Sequence, residues 1–509
     1  MEKIFSFDVR ALDRARASRD ARFDGKFFIA VTSTGIYCRP VCKVRDAKRS
    51  NIRYYPTAAA AAAAGFRPCL RCRPEAAPGT PAWLGTLEVV RRGLRLIEEG
   101  MLDDRSVEDM AERLGIGARH LHRLFVQHLG ASPIAVAQTR RLHFAKRLLD
   151  ETRLPITSIA MAAGFGSIRR FNDVFRMTYG RPPREIRRRL TSEAPGTGMD
   201  EVVLRLAYRP PYDWSHLQRF LAARALRGIE TAEGERYART VRTPDGGWAI
   251  VQLRPIAGED ALEFRVSCAD ASALLHLSSV ARRVFDQAAD PETIVSALQT
   301  DALLRPLVKR RPGLRIPGVW DPFECAVRAI IGQQVSFLAG ITLVARLVER
   351  TGEPITTPVQ GLTHLFPRAS DVVAANLRGL GLTGGRIAAL KELANALVDG
   401  TLDFSASADE VVGQLTRIRG IGPWTAQYVA LRALGEPDAF LSSDLVLRRI
   451  ASGGSSQQTL TASALEKRAE AWRPWRAYAT IHLWAAAVDQ SEARSKAMLT
   501  SRARAVRSR

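Results

Sequence analysis

Four of the six cysteines fall in two close pairs, Cys38-x3-Cys42 and Cys69-x2-Cys72, with 26 residues between the pairs. This spacing constrains the first part of the fold more than any other feature. Each short pair can clamp one side of a tetrahedral ion, and the intervening loop brings the pairs together. The surrounding segment offers little else from which to build a core, so a metal would stabilise the fold itself. One zinc ion on Cys38, Cys42, Cys69 and Cys72 is expected, and no further cofactor. The N-terminus lacks a signal-peptide layout and no apolar run is long enough to span a bilayer, so the predicted location is the cytoplasm, at the nucleoid. In that reducing setting paired thiols are ligands or reactive groups rather than disulfides.

The net charge of +23 is unevenly placed. Residues 1–199 hold 36 Lys and Arg against 20 Asp and Glu, a surplus of 16 that leaves 7 for the rest. Such a surplus fits a polyanion partner, and nucleic acid is the usual one. At 509 residues the chain should form several domains. "PEAAPGTPA" (74–82) and "TSEAPGTG" (191–198) read as linkers. The predicted order is a small zinc-bound α+β domain (1–76), an all-α double helix-turn-helix domain (83–192), an α+β sheet domain (199–314) and an all-α helix-hairpin-helix domain (315–492). A basic tail (493–509) is expected to be disordered, and the alanine run 58–64 to form one short helix.

The second segment repeats a pattern. Val107, Met110, Ala111 and Leu114 share a helical face, Gly115 turns the chain, and Leu121, Leu124 and Phe125 follow. Ile156, Ile159, Ala160 and Ala163, then Gly164, then Phe171 and Phe175, repeat it. Ser132-Pro133 starts the connecting helix, long enough to set two recognition helices about one DNA turn apart. In the last domain, two apolar helical stretches flank Gly420-Ile421-Gly422, a loop open enough for backbone N–H groups to meet a DNA phosphate. Asp444 follows 24 residues after Gly420.

"GIYCRPVC" with "AAGFRPCLRC" closely resembles the N-terminal domain of Ada-type methylphosphotriester-DNA methyltransferases. That resemblance implies that Cys38 takes a methyl group irreversibly from a methylated DNA phosphate. The paired units ending in "YGRPPREIR" resemble the AraC-type DNA-binding domain. Arg119, His120 and Arg123, and Arg169, Arg170 and Asn172, are then the candidates for promoter contact.

From "YRPPYDWSHLQRFLAARAL" to "WRPWRAYATIHLW" the third segment is similar to AlkA-type 3-methyladenine glycosylases of the helix-hairpin-helix family. The likeness implies that Asp444 is catalytic and that Phe220, Trp424, Tyr428 and Trp484, with Gln333, line a pocket for a flipped, cationic base. Gln333 and Gln334 fall where the family fills the gap left in the duplex, and Gly420 and Gly422 hold DNA. Bifunctional relatives carry a lysine where Trp424 stands, so a monofunctional glycosylase without lyase activity is implied. Neither Cys268 nor Cys325 has the setting of a second methyl acceptor, and repair of O6-alkylguanine is not expected.

Together these motifs describe a regulator of the alkylation response, likewise a repair enzyme. Methylation of Cys38 would lower the charge of the zinc centre from −2 to −1 and ease the approach of Arg39, Lys43, Arg45, Arg67, Arg71 and Arg73 to DNA. Partners are alkylated and promoter DNA, with RNA polymerase a candidate, and the chain is expected to be a monomer. The alternatives are a regulator whose glycosylase half is inactive, or an enzyme whose helix-turn-helix pair supplies only non-specific affinity.

Overall fold

The computed structural model describes residues 8–44, 46–78, 88–187, 201–453 and 459–507, with side chains as far as Glu492. The second expected linker, 191–198, lies outside them.

In the first domain β1 (Phe28–Val31), β2 (Ile36–Cys38), β3 (Ile52–Tyr55) and β4 (Arg67–Pro68) form a sheet in the order β3-β1-β2-β4. β2 and β4 run parallel with Tyr37 opposite Pro68, which sets Cys38 beside Cys69. The alanine helix, Ala58–Ala63, is capped by Thr57 and packs its Ala58 and Ala61 against Phe28, Ala30 and Tyr37. The first expected linker is structured where it begins. Pro74–Ala76 form a 3-10 turn, and Glu75 is buried within 3.5 Å of Lys146 Nζ. A paired carboxylate holds this Pro-rich stretch against its neighbour, which composition could not reveal.

Both helix-turn-helix units form as the apolar spacing predicts. Val107–Arg113 and Ala118–Leu129 make the first unit, Ile156–Ala162 and Ile168–Tyr179 the second. Gly115 and Gly164 sit at φ 71° and 78°, where a side chain would be strained. The connecting helix Pro133–Glu151 starts with Ser132 as its cap, accepting from Ala135 N at 3.2 Å. The first unit has its own core, whereas Phe171, Phe175 and Tyr179 of the second share one with the sheet domain.

That sheet comprises β5 (Glu201–Ala207), β6 (Glu230–Glu233), β7 (Arg236–Arg242), β8 (Trp248–Pro255) and β9 (Ala261–Cys268), antiparallel in the order β5-β9-β8-β7-β6. Helices follow from Leu274 to the end, broken by one short ladder, Glu353–Pro354 with His364–Leu365, in a region read as free of strands. Ile294, Leu304 and Val308 share a core with Leu447, Trp472 and Tyr478. Residues before 314 therefore pack into the last domain. The final helix, Arg476–Arg507, continues through the tail expected to be disordered. Alanine and arginine are strong helix formers, and the tail contains no glycine or proline to stop a helix already nucleated by its buried first turns.

The domains are joined by buried polar contacts. Lys26 Nζ lies 2.6 Å from Asp290 Oδ2, with side chains 1% and 2% exposed. Arg209 donates to Asp24 O at 2.9 Å and Ala288 O at 2.8 Å. Tyr37 OH shares a 2.9 Å hydrogen bond with His143 Nε2 on the connecting helix. Two less buried ion pairs, Arg113 of the first helix-turn-helix unit with Asp403 and Arg91 of the preceding helix Glu88–Glu98 with Glu436, tie this region to the helical domain. No helix among the described residues is long and apolar enough to cross a membrane.

Candidate functional site

The four sulfurs of Cys38, Cys42, Cys69 and Cys72 lie within 4.8 Å of one another, and none of the cysteines is in a disulfide. Thiolates on a tetrahedral zinc ion stand about 3.8 Å apart, given Zn–S bonds of about 2.3 Å. The cluster fits that ion. Hydrogen bonding among the crowded thiols pushes Cys42 and Cys69 down and Cys38 and Cys72 up. A central cation allows all four to be thiolates at once. Cys38 is 6% exposed. Arg39 N donates to Cys72 Sγ at 3.4 Å, and no backbone N–H does so to Cys38 Sγ among the described residues.

The ring of basic residues is only partly available. Arg39 is paired with Asp24, and Arg73 with Asp150 and Glu151 at 2.9 and 3.0 Å. Both brace the domain rather than face DNA. Lys43, Arg67 and Arg71 are exposed, and Arg45 lies outside the described residues. On the helix-turn-helix pair Arg119, His120, Arg123, Arg169 and Arg170 are exposed and Asn172 is half-buried. Arg176, not singled out in the sequence, is exposed on the second recognition helix.

Between the sheet and helical domains lies a cleft of about 810 Å³. Phe220, Trp424, Tyr428, Asp444 and Trp484 all line it. Trp424 and Tyr428, one helical turn apart, stack with centroids 5.3 Å apart. Asp444 is 9% exposed and caps the helix Leu445–Ala451, accepting from Leu447 N at 2.9 Å. Trp424 Nε1 donates to its other oxygen at 3.0 Å. Gly422 caps the next helix, Pro423–Arg432, and both hairpin glycines are exposed.

Gln333 does not line the cleft. Its amide donates to Gly420 O and Thr425 Oγ1, both at 3.0 Å, and so ties its loop to the hairpin. Gln334 is exposed at φ 51° beside the exposed Phe337 and Leu338. Phe337, Arg224 and Arg432 line the cleft and were missed in the sequence. Arg224 follows Phe220, and Arg432 follows Tyr428, by four residues, the spacing that puts side chains on one helical face. Burial brings the Arg224 guanidinium down to about 10, still cationic at neutral pH.

Three family models match the chain: the metal binding domain of Ada over residues 11–75, a helix-turn-helix domain over 110–189, and the AlkA N-terminal domain over 203–321. The "Probable bifunctional transcriptional activator/DNA repair enzyme AlkA" of Mycobacterium tuberculosis is 42% identical over 483 residues, 94% of this chain and 96% of that protein. DNA-3-methyladenine glycosylase 2 of Escherichia coli is 34% identical over 55% of this chain and 95% of its own length. The bifunctional transcriptional activator/DNA repair enzyme Ada of Escherichia coli is 39% identical over 29% of this chain and 40% of its own length. With the zinc-binding cysteines, the paired helix-turn-helix units and the aromatic cleft assembled in one polypeptide, the chain belongs to the family of bifunctional transcriptional activator/DNA repair enzymes AlkA, in which an Ada-type part is joined to an AlkA-type glycosylase part.

Proposed function

We propose that the chain repairs alkylated DNA by two chemistries and reports one of them to a promoter. In the C-terminal half, a damaged nucleotide leaves the duplex and its base enters the aromatic cleft. Ionised Asp444 stabilises the oxocarbenium-like sugar as the glycosidic bond breaks, and can orient the attacking water. The observation that carries this reading is the Asp444 carboxylate, held by Trp424 and Leu447 in the cleft beside the hairpin glycines. Trp424 stands where a lyase would need an amine nucleophile, which supports a monofunctional hydrolase.

In the N-terminal part, zinc when bound keeps the four sulfurs deprotonated at neutral pH. Cys38 sulfur attacks the methyl carbon of a methylphosphotriester. The S–CH3 bond forms, the CH3–O bond breaks, and the electron pair stays on the phosphate oxygen, leaving a diester. The thioether is stable, so each chain acts once. Losing one unit of negative charge beside Lys43, Arg67 and Arg71 favours promoter binding by the helix-turn-helix pair. Recruitment of RNA polymerase by a monomer at the nucleoid completes the reading.

The test is the profile of free bases released from methylated duplex DNA by the full chain, with analysis of the strands left behind. The account expects alkylated purines and intact abasic sites. A regulator with an inactive glycosylase half releases no base, and a lyase gives a borohydride-trappable covalent product.

A further inference from the structure

The loop that docks the first domain on the glycosylase half leads straight to the cysteine cluster. Asp24, Gly25 and Lys26 form that loop: Arg209 donates to Asp24 O at 2.9 Å, and Lys26 meets Asp290. Gly25 sits at φ 75°, and a Cβ there would collide with Pro78 O and stand 3.0 Å from Arg209 Nη2. Arg209 is fully buried and is itself held, donating to Ala288 O while its own carbonyl accepts from Arg315 Nη2 at 2.7 Å. In so close a fit the Asp24 backbone has little room to move.

From Asp24 the contacts continue inward. Its carboxylate accepts from Arg39 Nε at 2.9 Å and also from Arg39 Nη2, a two-point pair that fixes the plane of the guanidinium. Arg39 Nη1 donates to Cys72 O at 3.1 Å, and Arg39 N donates to Cys72 Sγ at 3.4 Å. Arg39 directly follows Cys38. One residue therefore ties the end of β2 to both the sulfur and the backbone of Cys72, and Asp24 aims its side chain. The other ion pairs of the loop lead away from the cysteines, from Lys26 to Asp290 and Glu292.

Groups behind the ligands of a metal orient them, and losing one costs about 10- to 100-fold in metal affinity or activity. We infer that Arg209, in the glycosylase half, is a positioning residue for the methyl-acceptor centre, acting through Asp24 and Arg39 on the Cys38–Cys72 side of the zinc site. Metal retention and methyl transfer at one end of the chain then depend on a side chain of the other repair enzyme. The transfer half of this inference rests on the reading of Cys38 as the methyl acceptor, whereas the metal half stands on the contacts alone.

The experiment uses the full chain and measures two rates: zinc release to an excess of a chromophoric chelator, and single-turnover methyl transfer at saturating methylphosphotriester DNA. Arg209→Met removes the donors and Arg209→Lys keeps one. Asp24→Ala cuts the next link and leaves in place the backbone oxygen that Arg209 holds. Lys26→Met combined with Asp290→Ala is the docking control. The expected result in Arg209→Met and in Asp24→Ala is zinc release about tenfold faster and methyl transfer about tenfold slower. Arg209→Lys should be partly rescued, and the docking control should change by less than about threefold. Adding Arg209→Met to Asp24→Ala should change either rate by less than about threefold more, because the first residue acts through the second. Zinc release at the parent rate in Arg209→Met or Asp24→Ala, equal acceleration in the docking control, or effects that multiply in the combined variant overturn the inference. A parent chain that holds zinc yet takes no methyl group strikes the methyl-acceptor reading instead, and the zinc rates then decide the inference.

Discussion

Trp424 Nε1 donates to Asp444 Oδ2 at 3.0 Å while its ring stacks on Tyr428, so one side chain both walls the cleft and aims the carboxylate. Trp424→Phe keeps a ring and removes the donor. Hydrogen bonds to charged groups contribute about 1.5–3 kcal/mol, so single-turnover base release should slow about 10- to 100-fold. Affinity for undamaged duplex should stay within about twofold, since neither partner needs to touch the backbone. A rate that does not change would show that Leu447 N alone orients the carboxylate.

Removing the metal should have a local effect. A chelator is expected to make the segment 8–78 protease-sensitive and to release one zinc ion per chain, while base release persists. Peptide mass spectrometry after exposure to methylphosphotriester DNA should place the methyl group on Cys38. Arg39 N donates to Cys72 Sγ, a bond that lowers the nucleophilicity of that sulfur. A methyl group on Cys72 would contradict this assignment.

The Lys26–Asp290 pair is buried at 2.6 Å between two domains. Asp290→Ala removes the partner 2.6 Å from the ammonium, and should cost about 3 kcal/mol in denaturant unfolding of the full chain. Lys26→Met combined with Asp290→Ala should recover most of that loss. A single variant as stable as the parent would mean that the domains do not dock through this pair.

Acid should destabilise the chain well above the carboxylate range. Burial pushes His143 and His482 down to about 3, and His216 and His276 to about 4. A base whose pKa is depressed by folding adds most stability above its unfolded value and loses it as pH falls toward the folded one. His482, 3% exposed, should alone account for a loss of about 2 kcal/mol between about pH 7 and pH 5. Unfolding measured across that window should be flatter in His482→Gln. An equally steep profile would show that the histidine is not held neutral.

What could be read from the sequence was local. The cysteine pairs, the repeated apolar spacing around Gly115 and Gly164, and Asp444 at a fixed distance from the hairpin each depend on residues close together in the chain. Asp444 proves to be a helix cap as well as a wall of the cleft. What could not be read was long-range. Nothing in composition shows that Phe171 shares a core with β5, that Asp290 closes over Lys26, or that Arg39 and Arg73 are committed to internal carboxylates. Gln333 was assigned to the pocket by position, yet it bonds the hairpin, because an amide has partners there on both Gly420 and Thr425.

Single-turnover release of 7-methylguanine by Asp444→Asn tests the central claim most directly. The substitution keeps the cap oxygen for Leu447 N and removes the charge proposed to stabilise the departing sugar. The account predicts retained binding to duplex DNA, a rate lower by several orders of magnitude, and abasic strands left uncut by the parent chain. Release by Asp444→Asn at a rate close to that of the parent would contradict it.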